Sequence, residues 1–239
     1  MLFKRLTTSV VAVAALSLAG GALAGCHSSA KASTTADTSS LPSASTLISQ
    51  AETAMGTVQT VHFTIKVDGT MNNIPLSAAD GVLTKAGEAK GSATVTEMGA
   101  TIQIDFVLVD NAFYLKALTG GFQKLPLSEA TKIYDPSAIL DPNRGVAKLL
   151  ASTATTAQTV GEEDINGKKA YQVKITADKA AISTLIPGVN QNVNGTVWID
   201  ASSHRVVKGT FAVPGDNGKS ATVTIMLDQY DAPVSISAP

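Results

Sequence analysis

The chain has 239 residues, of which 44% are hydrophobic and 15% are charged, and its formal net charge at pH 7 is −1. An apolar fraction of this size is typical of a globular protein with one buried core. Because the basic residues form no patch and are not interleaved with aromatic residues, the composition argues against a nucleic-acid-binding protein.

The first 25 residues have the layout of a secretory signal peptide: Lys4 and Arg5 precede an apolar run over 9–24. The run is too short and too rich in Ala and Gly for a membrane span. Cys26, the only cysteine, follows directly. The sequence Leu-Ala-Gly-Cys that ends there resembles the lipobox of bacterial lipoproteins. This resemblance implies that the chain is cut before Cys26 and that its thiol carries diacylglycerol as the lipid anchor.

Residues 26–44 consist mainly of Ser, Thr and Ala and predict a flexible, lipidated tether. The next segment predicts an amphipathic helix that Ser45 or Thr46 could cap. Its apolar residues fall on one stripe at helical spacing: Leu47, Ile48, Ala51, Met55 and Val58.

From residue 61 the apolar residues alternate with polar ones, as in half-buried strands. Asp110-Asn111, Asn166-Gly167 and Ser202-Ser203 predict tight turns between strands, so the strands should form an antiparallel meander. The alternation places the following side chains on the apolar face: Phe63, Ile65, Val67, Leu83, Ala93, Val95, Ile102, Ile104 and Phe106.

Two Asp-Pro pairs, at 135 and 141, predict the first turns of two short helices, because Asp can cap free amides and Pro fits the first helical position. The second helix should bury Val146, Leu149 and Leu150. A further short helix is predicted to end at Pro187.

About ten strands and three or four short helices give one α+β domain over residues 45–239. So few helices cannot cover so large a sheet. Its apolar face must therefore either close on a filled core or border an apolar hollow that a ligand occupies. The residue pattern favours neither outcome over the other.

The sequence contains no catalytic motif: it lacks the G-x-S-x-G elbow, H-E-x-x-H and a phosphate-binding glycine loop. We therefore predict a protein that is not an enzyme, with no catalytic residue, no metal site and no cofactor. Trp198 is expected to pack beneath a helix rather than to bind a sugar.

Several segments resemble the mycobacterial LppX/LprA/LprF/LprG lipoprotein family, and the overall pattern is most similar to the LprG/LprA branch. They are the lipobox at Cys26, DFVLVDNAFYLKA, IYDPSAILDPNRGVAKLLA, DINGKKAYQVKI and TVWID. The resemblance implies a LolA/LolB-like fold, in which a strongly curved half-barrel sheet carries helices on its concave side around an apolar cavity. It also implies that Ala93 and Val95 line that cavity.

The function implied by this resemblance is that of a lipid-anchored carrier. Such a protein would bind an acylated glycolipid or another long-chain lipid and carry it from the plasma membrane toward the outer envelope. We expect a monomer on the extracytoplasmic face of the cell membrane, with a lipid-exporting transporter as one candidate partner. The alternative is an anchored interaction or chaperone protein with a filled core and no lipid cargo.

Overall fold

The described part of the chain, in a computed structural model, comprises residues 40–71, 74–97, 99–117, 119–127, 138–186, 189–215 and 218–239. The predicted signal peptide, Cys26, most of the tether and the Asp135-Pro136 helix lie outside these residues.

Eleven strands form one curved, open, antiparallel sheet in the order β6-β5-β4-β3-β2-β1-β11-β10-β9-β8-β7. Neighbours along the chain pair with each other except β6 and β7, which form the two edges, and the remaining pair joins the first strand to the last. The α+β class and the antiparallel meander are confirmed. The strands are β1 Thr60–Asp68, β2 Leu76–Thr84, β3 Ala89–Glu97, β4 Ala100–Val109, β5 Ala112–Lys116, β6 Gln123–Pro126, β7 Gln158–Ile165, β8 Lys168–Ala177, β9 Val193–Asp200, β10 Val206–Pro214 and β11 Ser220–Asp228.

Two predicted hairpin turns have the left-handed backbone that their residues favour. Asp110 and Asn111 have φ of 52° and 58°, and Asn166 and Gly167 have φ of 53° and 80°. Positive φ at both central residues matches the right-handed twist of the flanking strands. The β4–β5 and β7–β8 connections are therefore as short as predicted, which fixes the register of each strand pair.

Three helices are described: α1 at Ala44–Gly56, α2 at Val146–Thr153 and α3 at Lys179–Leu185. The predicted cap of α1 was wrong. Ser43 precedes the helix and its hydroxyl accepts a hydrogen bond from the Thr46 backbone N–H at 3.2 Å. The predicted apolar stripe is buried, with Leu47, Ile48, Ala51 and Met55 all 2% exposed or less.

The start predicted for α2 was also wrong, because the helix begins at Val146 and not beside Pro142. Asp141 instead closes a turn: its carboxylate accepts from the Asn143 backbone N–H at 2.8 Å and pairs with Arg144 at 2.9 Å. These two groups hold the pKa of Asp141 below its ordinary value. The Asp-Pro pair therefore shapes the approach to α2 rather than its first turn.

One face of the sheet is here called the inner face. It carries the side chains of Val61, Phe63, Ile65 and Val67 and those of the residues paired with them in all the other strands. The buried residues of α1 and α2 belong to the same hydrophobic cluster as these side chains. The helices therefore pack on the inner face. The opposite, outer face carries Trp198.

Trp198 does not pack beneath a helix, contrary to the sequence-based expectation. Its indole N–H donates to Glu163 at 2.7 Å, and the Lys208 ammonium lies 4.1 Å from the ring centroid. A lysine stem can cover an aromatic ring while its charge stays in water. The long side chains of β7 and β10 thus bury Trp198 without a helix.

The predicted turn at Ser202-Ser203 is confirmed and is organised by Asp200, whose side chain is buried at the end of β9. One carboxylate oxygen accepts four hydrogen bonds of 2.7–3.1 Å from the backbone N–H groups and hydroxyls of Ser202 and Ser203. Burial alone would raise the pKa of Asp200. The hydrogen bonds outweigh burial and lower the pKa to about 2.

This lowered pKa predicts acid sensitivity. In the unfolded chain Asp200 has its ordinary pKa of 3.8. Its contribution, about 2 kcal/mol, is therefore complete above pH 4 and is lost as the pH falls toward 2. Chemical denaturation between pH 2 and 6 should show wild type more stable than Asp200→Asn above pH 4, with the difference shrinking in acid. The exposed Asp68→Asn is the control. A constant difference between wild type and Asp200→Asn across this range would contradict the assignment.

Candidate functional site

The pairing register places all nine predicted strand residues of the cavity wall on the inner face. Ile65 pairs with Ala79, Ala79 with Ala93, and Ala93 with Ile104. Directly paired residues of an antiparallel sheet point to the same side. Phe63 and Phe106 lie in a second row of paired residues across the same strands, and Leu83 lies in a third. Val67 and the pair Val95 and Ile102 lie on the same face.

Burial divides the predicted wall into two groups. Five of its members are almost completely buried: Phe63 at 7%, Val67 at 8%, Leu83 at 1%, Leu149 at 3% and Leu150 at 0% exposure. They belong to the packed cluster under α1 and α2. For these five residues the structure shows a filled core, so they border no open space in this conformation.

The remaining seven members are only half-buried, and five of them lie on β3 and β4. Ile65, Ala93, Phe106 and Val146 still contact the packed core. The five residues on β3 and β4, together with Leu115, form a continuous apolar surface that we call the open apolar patch: Ala93, Val95, Ile102, Ile104, Phe106 and Leu115. Half-buried apolar side chains on a helix-covered face indicate a surface that can accept a further apolar partner.

Leu115 was absent from the predicted wall, although AFYLK already shows strand alternation. Its place became clear only from the register, in which Leu115 pairs with Phe106 and Phe113 with Leu108. The Phe113 ring stacks on Phe106 with centroids 6.4 Å apart. β5 therefore extends the apolar surface of β4 toward the edge of the sheet.

Two glycines bring β2 and β3 unusually close beside the patch. Gly81 and Gly91 are paired, and a Cβ atom on Gly91 would lie 2.2 Å from the Asp80 carbonyl oxygen and 3.0 Å from Cζ of Phe106. On the other side, Cζ of Phe63 would lie 3.2 Å from a Cβ atom on Gly81. The two phenylalanine rings therefore lie over backbone that has no side chains of its own.

Gly91→Ala should destabilise the protein, because the added methyl group meets backbone that cannot move independently. We expect a loss of about 1–3 kcal/mol in the free energy of unfolding, measured by chemical denaturation. Gly56→Ala is the matched control, since a Cβ atom there meets nothing within 4 Å. Its stability should be equal to or slightly above that of wild type. Equal stability of both variants would contradict the close approach of β2 and β3.

A depression of about 480 Å³ is found elsewhere, mainly on the outer face of β8–β11. Its lining includes Lys174, Asn194, Thr196, Thr210 and Thr222, and it includes no residue of the predicted cavity wall. Because it contains none of those residues, this depression is not the apolar cavity that the family resemblance implied.

Within the residues that the structure describes, no cluster of three or more His, Cys, Asp or Glu side chains could hold a metal ion. None of the helices in the same residues is both long and apolar enough to span a bilayer.

These features define a single-sheet α+β protein whose apolar inner face is only partly buried. The family model described as LppX_LprAFG lipoprotein matches residues 43–236. The chain therefore belongs to the LppX/LprA/LprF/LprG lipoprotein family, as its motifs predicted. This is a family of lipoproteins rather than of enzymes.

Two relatives share the name lipoarabinomannan carrier protein LprG. The protein from Mycolicibacterium hassiacum is 35% identical over 236 residues, which are 95% of this chain and 96% of the relative. The protein from Mycolicibacterium smegmatis is 32% identical over 232 residues, covering 95% of this chain and 94% of the relative. The similarity to the LprG branch is thus confirmed.

Two solved structures share the fold. The crystal structure of LprF from Mycobacterium bovis aligns with a TM-score of 0.71 and 24% identity, covering 82% of this chain and 96% of that one. LppX from Mycobacterium tuberculosis aligns with a TM-score of 0.60 and 20% identity, covering 81% and 97%. At these identities the likeness supports the fold alone.

Proposed function

We propose that the protein is a lipid-anchored carrier that binds the acyl chains of an envelope lipid against the open apolar patch. The observation that supports this most is the half-buried apolar surface on the helix-covered face of the sheet. The relatives named lipoarabinomannan carrier proteins make an acylated glycolipid the favoured cargo.

The driving force for loading is the hydrophobic effect. Each methylene group that leaves water contributes about 0.8 kcal/mol, so a ten-carbon segment contributes roughly 8 kcal/mol. A bilayer offers the same chain an equally apolar environment, and transfer between the bilayer and the protein is therefore close to neutral and reversible. Reversible transfer needs no catalytic group, which agrees with the prediction that the protein is not an enzyme.

Phe106 is the side chain that we expect to move on loading. Its ring covers Gly91 and touches the packed core, but it is only half-buried, so an acyl chain can displace it with a smaller loss of core contacts than a fully buried ring would cause. Phe63 is 7% exposed and belongs to the packed core, and we expect its ring to stay in place. The chain would then lie along β3 and β4 against Ala93 and Ile104.

Membrane attachment follows from Cys26. A diacylglyceryl group supplies two acyl chains, which are enough for stable anchoring. Residues 26–40 could extend to about 50 Å. The folded body could then reach lipids at the extracytoplasmic surface of the cell membrane, take up cargo there and carry it toward the outer envelope. We also propose that the carrier is a monomer and that a lipid-exporting transporter supplies or receives its cargo.

The filled core under α1 and α2 favours the alternative function, that of an anchored interaction protein without lipid cargo. Leu83, Leu149 and Leu150 pack against other core side chains and border no open space, as that role predicts. The two functions differ in whether the open apolar patch binds lipid.

Lipid loading can be measured on a chain lacking residues 1–26, by native mass spectrometry and by organic extraction with added diacyl or triacyl glycolipid. The carrier function predicts bound lipid. Ala93→Trp should weaken binding roughly tenfold, because the indole displaces about two methylene groups from the patch.

Thr94→Trp is the matched control, since it places the same side chain on the outer face of the same strand, where loading should not change. Absence of bound lipid in the wild type would favour the interaction protein. Equal loss of loading in both variants would rule out the inner face as the binding surface.

A further inference from the structure

The β6 edge of the sheet, beyond the open apolar patch, carries exposed apolar side chains. Among the strands that the structure describes, β6 pairs only with β5, and all four of its residues are exposed. In the described part of the chain three large apolar side chains are exposed to solvent. Their exposed fractions are 36% for Phe122, 38% for Leu125 and 36% for Val234. Two of the three therefore lie within four residues of one another, at an edge where natural sheets usually avoid apolar side chains.

Two lysines accompany these apolar residues. The Lys116 ammonium lies 5.8 Å from the ring centroid of Phe122, and the Lys124 ammonium lies 5.7 Å from that of Tyr114. The hairpin over residues 112–126 contains no Asp or Glu. Asp105 pairs with Lys116 across the sheet and offsets one of the two lysine charges, so the hairpin and Asp105 together carry a formal charge of 2 − 1 = +1.

The hairpin also continues the open apolar patch. Leu115 pairs with Phe106, and Leu125 pairs with Phe113, so both leucines lie on the inner face. Lys116, paired with Asp105, and Lys124, paired with Tyr114, lie on the outer face of the same hairpin, and Phe122 directly precedes β6. The apolar inner face therefore reaches the edge of the sheet where the exposed and cationic side chains are found.

From these contacts we infer that the β5–β6 hairpin docks on an anionic bilayer surface, through Lys116, Phe122, Lys124 and Leu125. Aromatic and aliphatic side chains flanked by lysines are favoured at the boundary between headgroups and acyl chains. The two ammonium groups complement anionic headgroups. Pro126 and Lys124 on β6 disfavour pairing with a strand of a second copy.

The purpose of this docking rests on the proposed function. A docked hairpin would hold the open apolar patch at the bilayer surface, so that an acyl chain could pass between membrane and protein without crossing water. The docking experiment and the loading experiment above have independent outcomes, so contact with the bilayer can be tested separately from cargo binding.

Hydrogen–deuterium exchange of the full-length chain, reconstituted in vesicles, tests the docking. In phosphatidylcholine vesicles that contain phosphatidylglycerol, amides over 119–126 should exchange more slowly than in pure phosphatidylcholine, by up to about 25-fold, since each of the two lysines contributes about a fivefold preference for an anionic surface. The β7–β8 hairpin, at the other edge of the sheet, should show no such difference.

Two variants and two controls identify the residues responsible. Lys116→Gln with Lys124→Gln, and Phe122→Ser with Leu125→Ser, should each remove most of the added protection. Lys168→Gln with Lys219→Gln removes the same charge from other exposed positions, and Val234→Ser removes another exposed apolar side chain. Both controls should retain the protection.

Equal exchange over 119–126 in both kinds of vesicle would overturn the inference. Protection that grows with protein concentration in detergent, alongside a dimer by light scattering, would also overturn it and would assign the edge to a second copy. A chain that docks but binds no lipid would leave this inference standing and contradict the carrier function.

Discussion

The architecture depends on how much of the apolar inner face the helices can cover. Eleven antiparallel strands expose one continuous apolar face, and the three described helices are 13, 8 and 7 residues long. Apolar surface left in water is unfavourable by about 25 cal/mol per Å². The helices bury this surface around β1, β2 and β8–β11 and at the end of β3 and β4 that carries Ala89 and Leu108, whereas over the rest of β3–β5 it stays half-buried. That difference in coverage separates the structural core from the surface that a lipid could occupy.

Strand alternation and turn residues were enough to predict most of the sheet. The left-handed positions at Asp110-Asn111 and Asn166-Gly167 need residues that tolerate positive φ, so these turns could be predicted from the sequence. The edge strand β6 was missed, because four exposed residues show no alternation of burial. The helix starts were misplaced for another reason: Ser43, Ser45 and Thr46 are all good caps, and only the local backbone selects among them.

The sequence predicted which face of the sheet carries the candidate site, but not whether that face borders an open space. Period-two alternation fixes which side of a strand a residue occupies, and the register confirms that Phe63, Ala93 and Ile104 share one side. Alternation carries no information on whether a helix covers that side. Leu83 and Leu150 therefore looked like wall residues but fill the core, while Leu115 became evident only from its partner Phe106.

The most direct test of the account is photo-crosslinking with a glycolipid that carries a diazirine within its acyl chain, followed by mapping of the modified residues by mass spectrometry. The account requires adducts on Val95, Ile102 and Ile104 of the inner face, with their outer-face neighbours Thr94, Thr101 and Gln103 unmodified. Adducts distributed equally over both faces of β3 and β4, or confined to the depression on β8–β11, would contradict it.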